Sequence, residues 1–318
     1  MGLFGNKQPE GKTLLLLDVE NGSVGSALVH LQPDQPLKLF GERRANLRVL
    51  PTRDSQSLLR EIQHGIHTAA SHIAELAASL RQHDTTNQAG SISRAAIYLG
   101  APWGQPDLAQ GTPSFVGRMR DIVRRELELL GPMQHSFFTA TGGVLGGASR
   151  ALPNDDTYLL CIVGGEVTEL LLVHNNNASG YATLPLGTHT LVRTMRAHGF
   201  SDAEAHSAMR LPPDHAEPML AAQKQFAHEF EATVGTLLHH SPIKRVWVVS
   251  RGELGEWFAK ALSNSANVAG LFPQGGEVRV LRASHVAPHL TAHAHEPDLL
   301  LGLHALHAEA VPTGRQVL

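Results

Sequence analysis

The sequence is short of cysteine, of charge, of long apolar runs and of aromatic residues, and each shortage narrows what the chain can be. A single Cys161 among 318 residues leaves no partner for an internal disulfide and no thiolate set for a zinc cluster, which suits a reducing compartment. Charged residues make up 17%, with 26 Lys and Arg against 29 Asp and Glu. The formal net charge of -3 supplies no basic face to displace phosphate counterions, so no nucleic-acid partner is expected. The longest strongly apolar stretches, residues 14–17 and 159–163, fall far below the roughly 18 residues a membrane helix requires. The opening MGLFGNKQPEGK lacks the apolar core of a secretory signal, and Asn6 stands where myristoylation expects Ser or Thr. These features predict a cytoplasmic protein with no transmembrane segment. Aromatics are 5%, whereas His numbers 20, more than the ten Phe, three Tyr and three Trp together.

With 42% hydrophobic residues, the chain is long enough to bury one large or two smaller cores. Two stretches read as strand, tight turn, strand. The first is 13–19 (TLLLLDV), a turn at 20–23 (ENGS) and 24–31; Asn21-Gly22 between apolar runs is a hairpin signal because both tolerate positive φ. A third strand is expected at 47–50, then a long helix over 55–82 with Leu58, Leu59, Ile62, Ile66, Ile73, Leu76 and Leu80 near helical spacing. A polar loop over 84–93 leads to a strand at 95–99, a Pro/Gly-rich connector at 104–114, a charged amphipathic helix at 115–130 and a Gly-rich segment at 139–152. The second strand-turn-strand is 158–163, Gly164-Gly165-Glu166 and 167–173, followed by a strand at 181–184. Helices are expected at 188–197, 202–209, 214–239, 253–262 and 297–307, with strands at 246–250 and 278–281. The order of elements is an architectural duplication without a sequence repeat.

Either turn is an ordinary hairpin or a nest of backbone N–H groups able to hold an anion without lysine. Asp18 at the end of the first strand is the candidate ligand for a magnesium ion or its water. Gly164 and Gly165 would let a phosphate approach the backbone, and Thr168 offers a hydroxyl.

Taken together, the two turns resemble a known pattern. Residues 13–29 (TLLLLDVENGSVGSALV) resemble the phosphate-1 motif of the actin, Hsp70 and sugar-kinase superfamily, and 158–173 (YLLCIVGGEVTELLLV) its phosphate-2 motif. Residues 243–262 (IKRVWVVSRGELGEWFAKAL) resemble the adenosine motif. Residues 95–103, 137–152, 183–197 and 198–209 are similar, in the right order, to stretches of the FtsA/PilM branch of bacterial actin homologues. The resemblance implies a duplicated actin-like (ribonuclease H-like) α/β fold: lobe 1 over 1–157, lobe 2 over 158–296, and a closing helix with a short tail over 297–318. A nucleotide cleft would lie between the lobes, lined by Asp18, Glu20, Asn21, Gly22, Ser23, Gly164, Gly165, Glu166, Thr168, Ser250, Arg251 and Gly252. ATP with magnesium on Asp18 is the cofactor implied.

The departures matter equally. The family opens phosphate-2 with an Asp that positions metal and water; Ile162 stands here and can do neither, which predicts a poor ATPase. The adenosine turn, usually Gly-Gly, reads Ser250-Arg251-Gly252, and Arg251 either stacks on adenine or fills the pocket. Glu20 and Glu166 replace small residues in the phosphate loops and are expected to point to solvent. The family's inserted subdomain would be reduced or missing at 104–136, and 308–318 is too short for an amphipathic membrane helix. The reading that follows is a cytoplasmic adaptor or scaffold in type IV pilus or cell-division machinery. It would sit peripherally at the inner membrane by holding the cytoplasmic tail or a subunit of a membrane complex, with self-association as a further partnership. The alternative is an active ATPase or small-molecule kinase on the same fold. His64, His67, His72 and the histidines at 285, 289, 293, 295, 304 and 307 are taken as solvated or core residues rather than a zinc site. The arginines at 118, 120, 124 and 125 are read as a solvated helix face, and Trp103 as a packing anchor.

Overall fold

The computed structural model describes residues 12–32, 35–52, 54–83, 92–103, 115–152, 157–208, 217–238, 243–252, 254–272, 276–292 and 296–311. The connector at 104–114, most of the 84–93 loop, His293, His295 and the tail from 312 lie outside the described residues.

The first half begins with β1 (Lys12–Val19), β2 (Ser23–Leu31) and β3 (Leu37–Asn46), an antiparallel meander. Then come α1 (Ser55–His83), β4 (Ile92–Leu99), α2 (Phe115–Leu127), β5 (Gln134–Thr139) and α3 (Ala140–Ala151). The second half repeats the meander with β6 (Thr157–Val163), β7 (Thr168–His174) and β8 (Asn177–Leu184). It continues with α4 (Thr188–Ala197), α5 (Asp202–Ala208), α6 (Glu217–Leu238), β9 (Arg245–Val249), α7 (Leu254–Ser263) and α8 (Ala266–Gly270). The chain closes through β10 (Glu277–Val280), α9 (Ala283–Val286), β11 (Leu290–Ala292) and α10 (Leu299–Ala310).

Two sheets result. One runs in the order β11-β3-β2-β1-β4-β5, the other β10-β9-β6-β7-β8. The Leu14–Leu17 run is buried on both faces because each sheet is covered on both sides. Leu15 and Leu17 pack outward on α1 and α2 with Trp103. Leu14 and Leu16 point inward to a core that also holds Tyr158, Leu160 and Ile162 of β6 and Trp247 of β9. Helices α3 and α10 fill that inner layer between the sheets. Their approach is close: a Cβ on Gly147 would fall 2.4 Å from the Leu303 carbonyl oxygen. The outer face of the second sheet packs on α4, α6 and α7.

The third strand differs from the expectation. It is β3 at 37–46, where buried Leu37 and Leu39 alternate with more exposed Lys38 and Phe40, whereas 47–50 joins no sheet. That apolar run is held by long-range contacts instead. The Leu47 N–H donates to the Gly22 carbonyl (3.0 Å). Arg193 and Arg196 of α4 donate to the Leu50 and Val49 carbonyls (3.4 and 3.1 Å). Val49 is buried in the core of the second lobe. The β7–β8 turn carries the positive φ angles, at Asn175 (49°) and Asn176 (61°), while Asn21 and Gly22 do not adopt them. Between β4 and β5 the described residues contain α2 and one further turn of 3-10 helix, Glu128–Leu130.

Gly147→Ala should therefore destabilise the fold by about 1–3 kcal/mol in urea unfolding, since α3 and α10 must separate. Gly235→Ala is the opposite case. Gly235 sits exposed in the last turn of α6 with nothing within 4 Å of a new Cβ, and Gly235→Ala should gain up to about 1 kcal/mol.

Candidate functional site

The two equivalent hairpin turns meet where the lobes face each other. A Cβ on Gly22 would lie 2.5 Å from the Gly165 Cα, and one on Gly165 would lie 2.4 Å from the Gly22 Cα. Only glycine at both positions permits this contact. Asn21 fastens it: its Oδ1 accepts from the Glu166 N–H (2.7 Å), and its Nδ2 donates to the Ala101 carbonyl (2.6 Å). Gly187 and the start of α4 close the other side, with the Thr188 and His189 N–H groups donating to the Gly164 and Gly165 carbonyls (3.0 and 2.7 Å).

Around this junction lies a buried charge network. Asp18 is fully buried at the end of β1. Its Oδ2 accepts from Arg44 Nη2 (2.7 Å), and its Oδ1 lies 3.3 Å from His304 Nε2. Arg44 also forks onto Asp298 (2.7 and 3.0 Å) and donates to Ser23 Oγ (2.9 Å). Asp298 caps α10 by accepting from the Leu301 N–H (3.0 Å). His304 stacks on Tyr98 with centroids 4.0 Å apart, and the Tyr98 hydroxyl donates to the His304 carbonyl (3.0 Å).

Glu20 and Glu166 depart from the expectation that they face solvent, being only 6% and 8% exposed. Guanidinium groups explain their burial. Arg193 forks onto Glu166 (2.8 and 2.5 Å), with His189 Nδ1 3.3 Å away. Glu20 accepts from Ser23 Oγ (3.1 Å) and lies 3.7 Å from Arg251 Nε. Arg251 itself donates to the Gly22 carbonyl (3.0 Å), Asn46 Oδ1 (2.9 Å) and Thr188 Oγ1 (3.0 Å).

The environments push the two acids of β1 and its turn apart. Burial would raise the Asp18 pKa, but the Arg44 guanidinium and His304 hold it down to about 2. Burial, reinforced by the Asp18 carboxylate, pushes Glu20 up to about 7. Glu166 is held at about 2 against burial by hydrogen bonds from Arg193 and His189.

Of the residues singled out by sequence, Asp18, Glu20, Asn21, Gly22, Ser23, Gly164, Gly165, Glu166 and Arg251 do gather at this junction. Thr168 does not offer its hydroxyl there, donating instead to the Leu186 carbonyl (2.7 Å). Ser250 is buried with no hydrogen-bond partner for its Oγ, and Gly252 borders a separate cavity. Sequence reasoning missed Arg44, Asp298, Arg193, His189 and His304. Among the described residues no group of three or more His, Cys, Asp or Glu is placed to hold a metal ion, and no helix is long and apolar enough to cross a membrane.

Magnesium and ATP do not fit the junction as it stands. The Glu20, Gly164 and Glu166 N–H groups are taken within the junction, donating to Ser23 O, Val167 O and Asn21 Oδ1. Both oxygens of Asp18 are paired, and a cavity bordered by Glu20, Asn21 and Gly164 has a volume of ≈ 10 Å³, about one water's room. A larger cavity of ≈ 390 Å³ lies alongside, walled by Arg251, Arg282 and the carboxylates of Glu256, Glu296 and Asp298; neither turn lines it.

No protein-family model matches the sequence, and no curated protein matches it. Solved structures do. A chain of the PilM–PilN type IV pilus biogenesis complex aligns with a TM-score of 0.61 at 11% identity, covering 96% of this chain and 100% of that one. Ethanolamine utilization protein EutJ from Carboxydothermus hydrogenoformans aligns at 0.54 and 15% identity, covering 95% and 91%. A ROK family transcriptional regulator, a homologue of E. coli MLC, aligns at 0.50 and 9% identity, covering 94% and 79%. The chain has the duplicated, two-lobe actin-like fold.

The raised Glu20 carries a pH signature. The folded state holds its proton more tightly than the unfolded chain, so its contribution is complete below about pH 4.5 and is lost as pH rises to about 7. Stability measured from pH 4 to 8 in wild type and Glu20→Gln should diverge accordingly, wild type losing on the order of 3 kcal/mol relative to the variant. A pH-independent difference would contradict it.

Proposed function

We propose that this protein is a non-catalytic actin-like adaptor that holds a cytoplasmic segment of a membrane-associated assembly, of the type IV pilus or cell-division kind. The observation that carries the reading is the state of the catalytic side of the cleft. Ile162, where an ATPase of this fold would carry its water-positioning carboxylate, is buried in the core shared by the lobes, and the flanking turns are joined to each other. A fold so built offers a shaped surface rather than a reaction centre. The likeness to a chain of the PilM–PilN complex over 96% of this chain and 100% of that one supports a docking role at the inner membrane, with the protein reaching the membrane through its partner. Asp18 in this reading is a structural anion for Arg44 and His304 rather than a magnesium ligand.

Two measurements test it. Purified protein should release no phosphate from Mg·ATP above the buffer blank, and a tagged chromosomal copy should cross-link to an integral subunit of such an assembly. Turnover at ordinary ATPase rates, or a copy cross-linked only to soluble proteins, would overturn the adaptor reading. Ile162→Asp sharpens the first arm. It restores the missing carboxylate but buries it beside Glu169, so the variant should lose several kcal/mol of stability and still show no turnover.

A further inference from the structure

We propose that Arg251 is an internal bridge between the lobes, standing where this fold would hold a nucleotide, so that the cleft is closed by the chain's own guanidinium and without any ligand.

Three observations carry it. First, Arg251 leaves the end of the β9 strand in the second lobe, yet its guanidinium reaches the β1–β2 turn through the Gly22 carbonyl and the end of β3 through Asn46. The same group returns to the second lobe at Thr188 on the first turn of α4. One side chain thus joins elements that a ligand in the cleft would otherwise have to connect.

Second, the polarity of the junction is inverted. A phosphate needs converging N–H donors, whereas the groups converging here are acceptors: the Gly22 carbonyl, Asn46 Oδ1, Thr188 Oγ1 and, at 3.7 Å, the Glu20 carboxyl. A cation with a planar fork of donors satisfies that arrangement; an anion does not. The remaining charges follow the same logic. Asp18 and Asp298 face Arg44, and Glu166 faces Arg193 and His189.

Third, the bridge is fitted to the Gly22–Gly165 contact. Arg251 Nη2 lies 3.0 Å from the position of a Cβ on Gly22, so the guanidinium packs directly on the turn it bonds. With only 12% of its side chain exposed and three acceptors bonded, it is a fixed strut rather than a mobile surface arginine. The lobe angle is therefore set by sequence and does not follow nucleotide concentration.

Hydrogen–deuterium exchange of the full chain reads the bridge directly, because local opening at the junction exposes both turns. In Arg251→Ala, amides of residues 19–25 and 162–168 should exchange at least tenfold faster, while those of 62–73 in α1 keep the wild-type rate. Arg251→Lys, which keeps charge but loses the fork, should fall between. Asn46→Ala removes one acceptor at an exposed position while leaving the Arg251 guanidinium its Gly22 and Thr188 partners, and should accelerate the same amides about threefold. Adding millimolar Mg·ATP to wild type should change neither turn. The proposal fails if both turns in Arg251→Ala and Asn46→Ala stay within twofold of wild type. It fails equally if Mg·ATP slows exchange of those turns in wild type tenfold, since a ligand and not Arg251 would then close the cleft.

Discussion

One guanidinium, that of Arg44, ties the first strand, the third strand and the last helix into a unit. It forks onto Asp298, the residue that caps α10, and touches Asp18 and Ser23 at the mouth of the first hairpin. Without this cation Asp18 would be a bare buried charge, which is strongly destabilising. Without Asp298 in place, the N-terminus of α10 would lose its cap. The helix that fills the layer between the sheets is thus docked electrostatically at one end and by packing along the rest, where Leu300, Leu301, Leu303 and Leu306 are buried.

The junction that grows from this anchor has three carboxyls, Asp18, Glu20 and Asp298, facing two guanidiniums, Arg44 and Arg251. One carboxyl is in excess. Burial makes its ionisation costly, and the group that takes the cost is Glu20, raised to about 7. Asp18, with Arg44 and His304 on its two oxygens, stays ionised. Two acids two residues apart have opposite fates because their partners differ. The same comparison separates Glu20 from Glu166, whose dedicated Arg193 holds it at about 2.

Much of the fold was legible in the sequence because it rests on local periodicity. The helix over 188–197 was read to the residue, and the long helix to within one. The paired hairpins and their turns followed from apolar runs around Asn-Gly and Gly-Gly. What could not be read depends on contacts distant along the chain. Arg44 and Asp298 are separated by 254 residues, and Asp18 and His304 by 286. The apolar run at 47–50 was mistaken for a strand because its burial comes from the second lobe rather than from a sheet. Glu20 and Glu166 were misplaced for the same reason: nothing local announces Arg251 or Arg193. One signal was available. His304 sits within LLLGLHAL, a stretch apolar on every side, and a polar residue there must be buried against a partner.

The position of α10 between the sheets also sets the order in which the protein can be completed. The inner face of the first sheet lacks only its edge strand β11 once β5 and α3 have been made, yet α10, which covers it, follows the whole second half. During synthesis that face, with Leu14, Leu16, Ala27 and Val29, is covered only in part, by α3, until residues 299–310 leave the ribosome. The inner layer of the first lobe therefore closes only after the second lobe has been made, whereas its outer core, Leu15 to Phe137, needs no later residue. A chain truncated before Leu299 would lose one wall of the inner layer between the two sheets, not a terminal ornament.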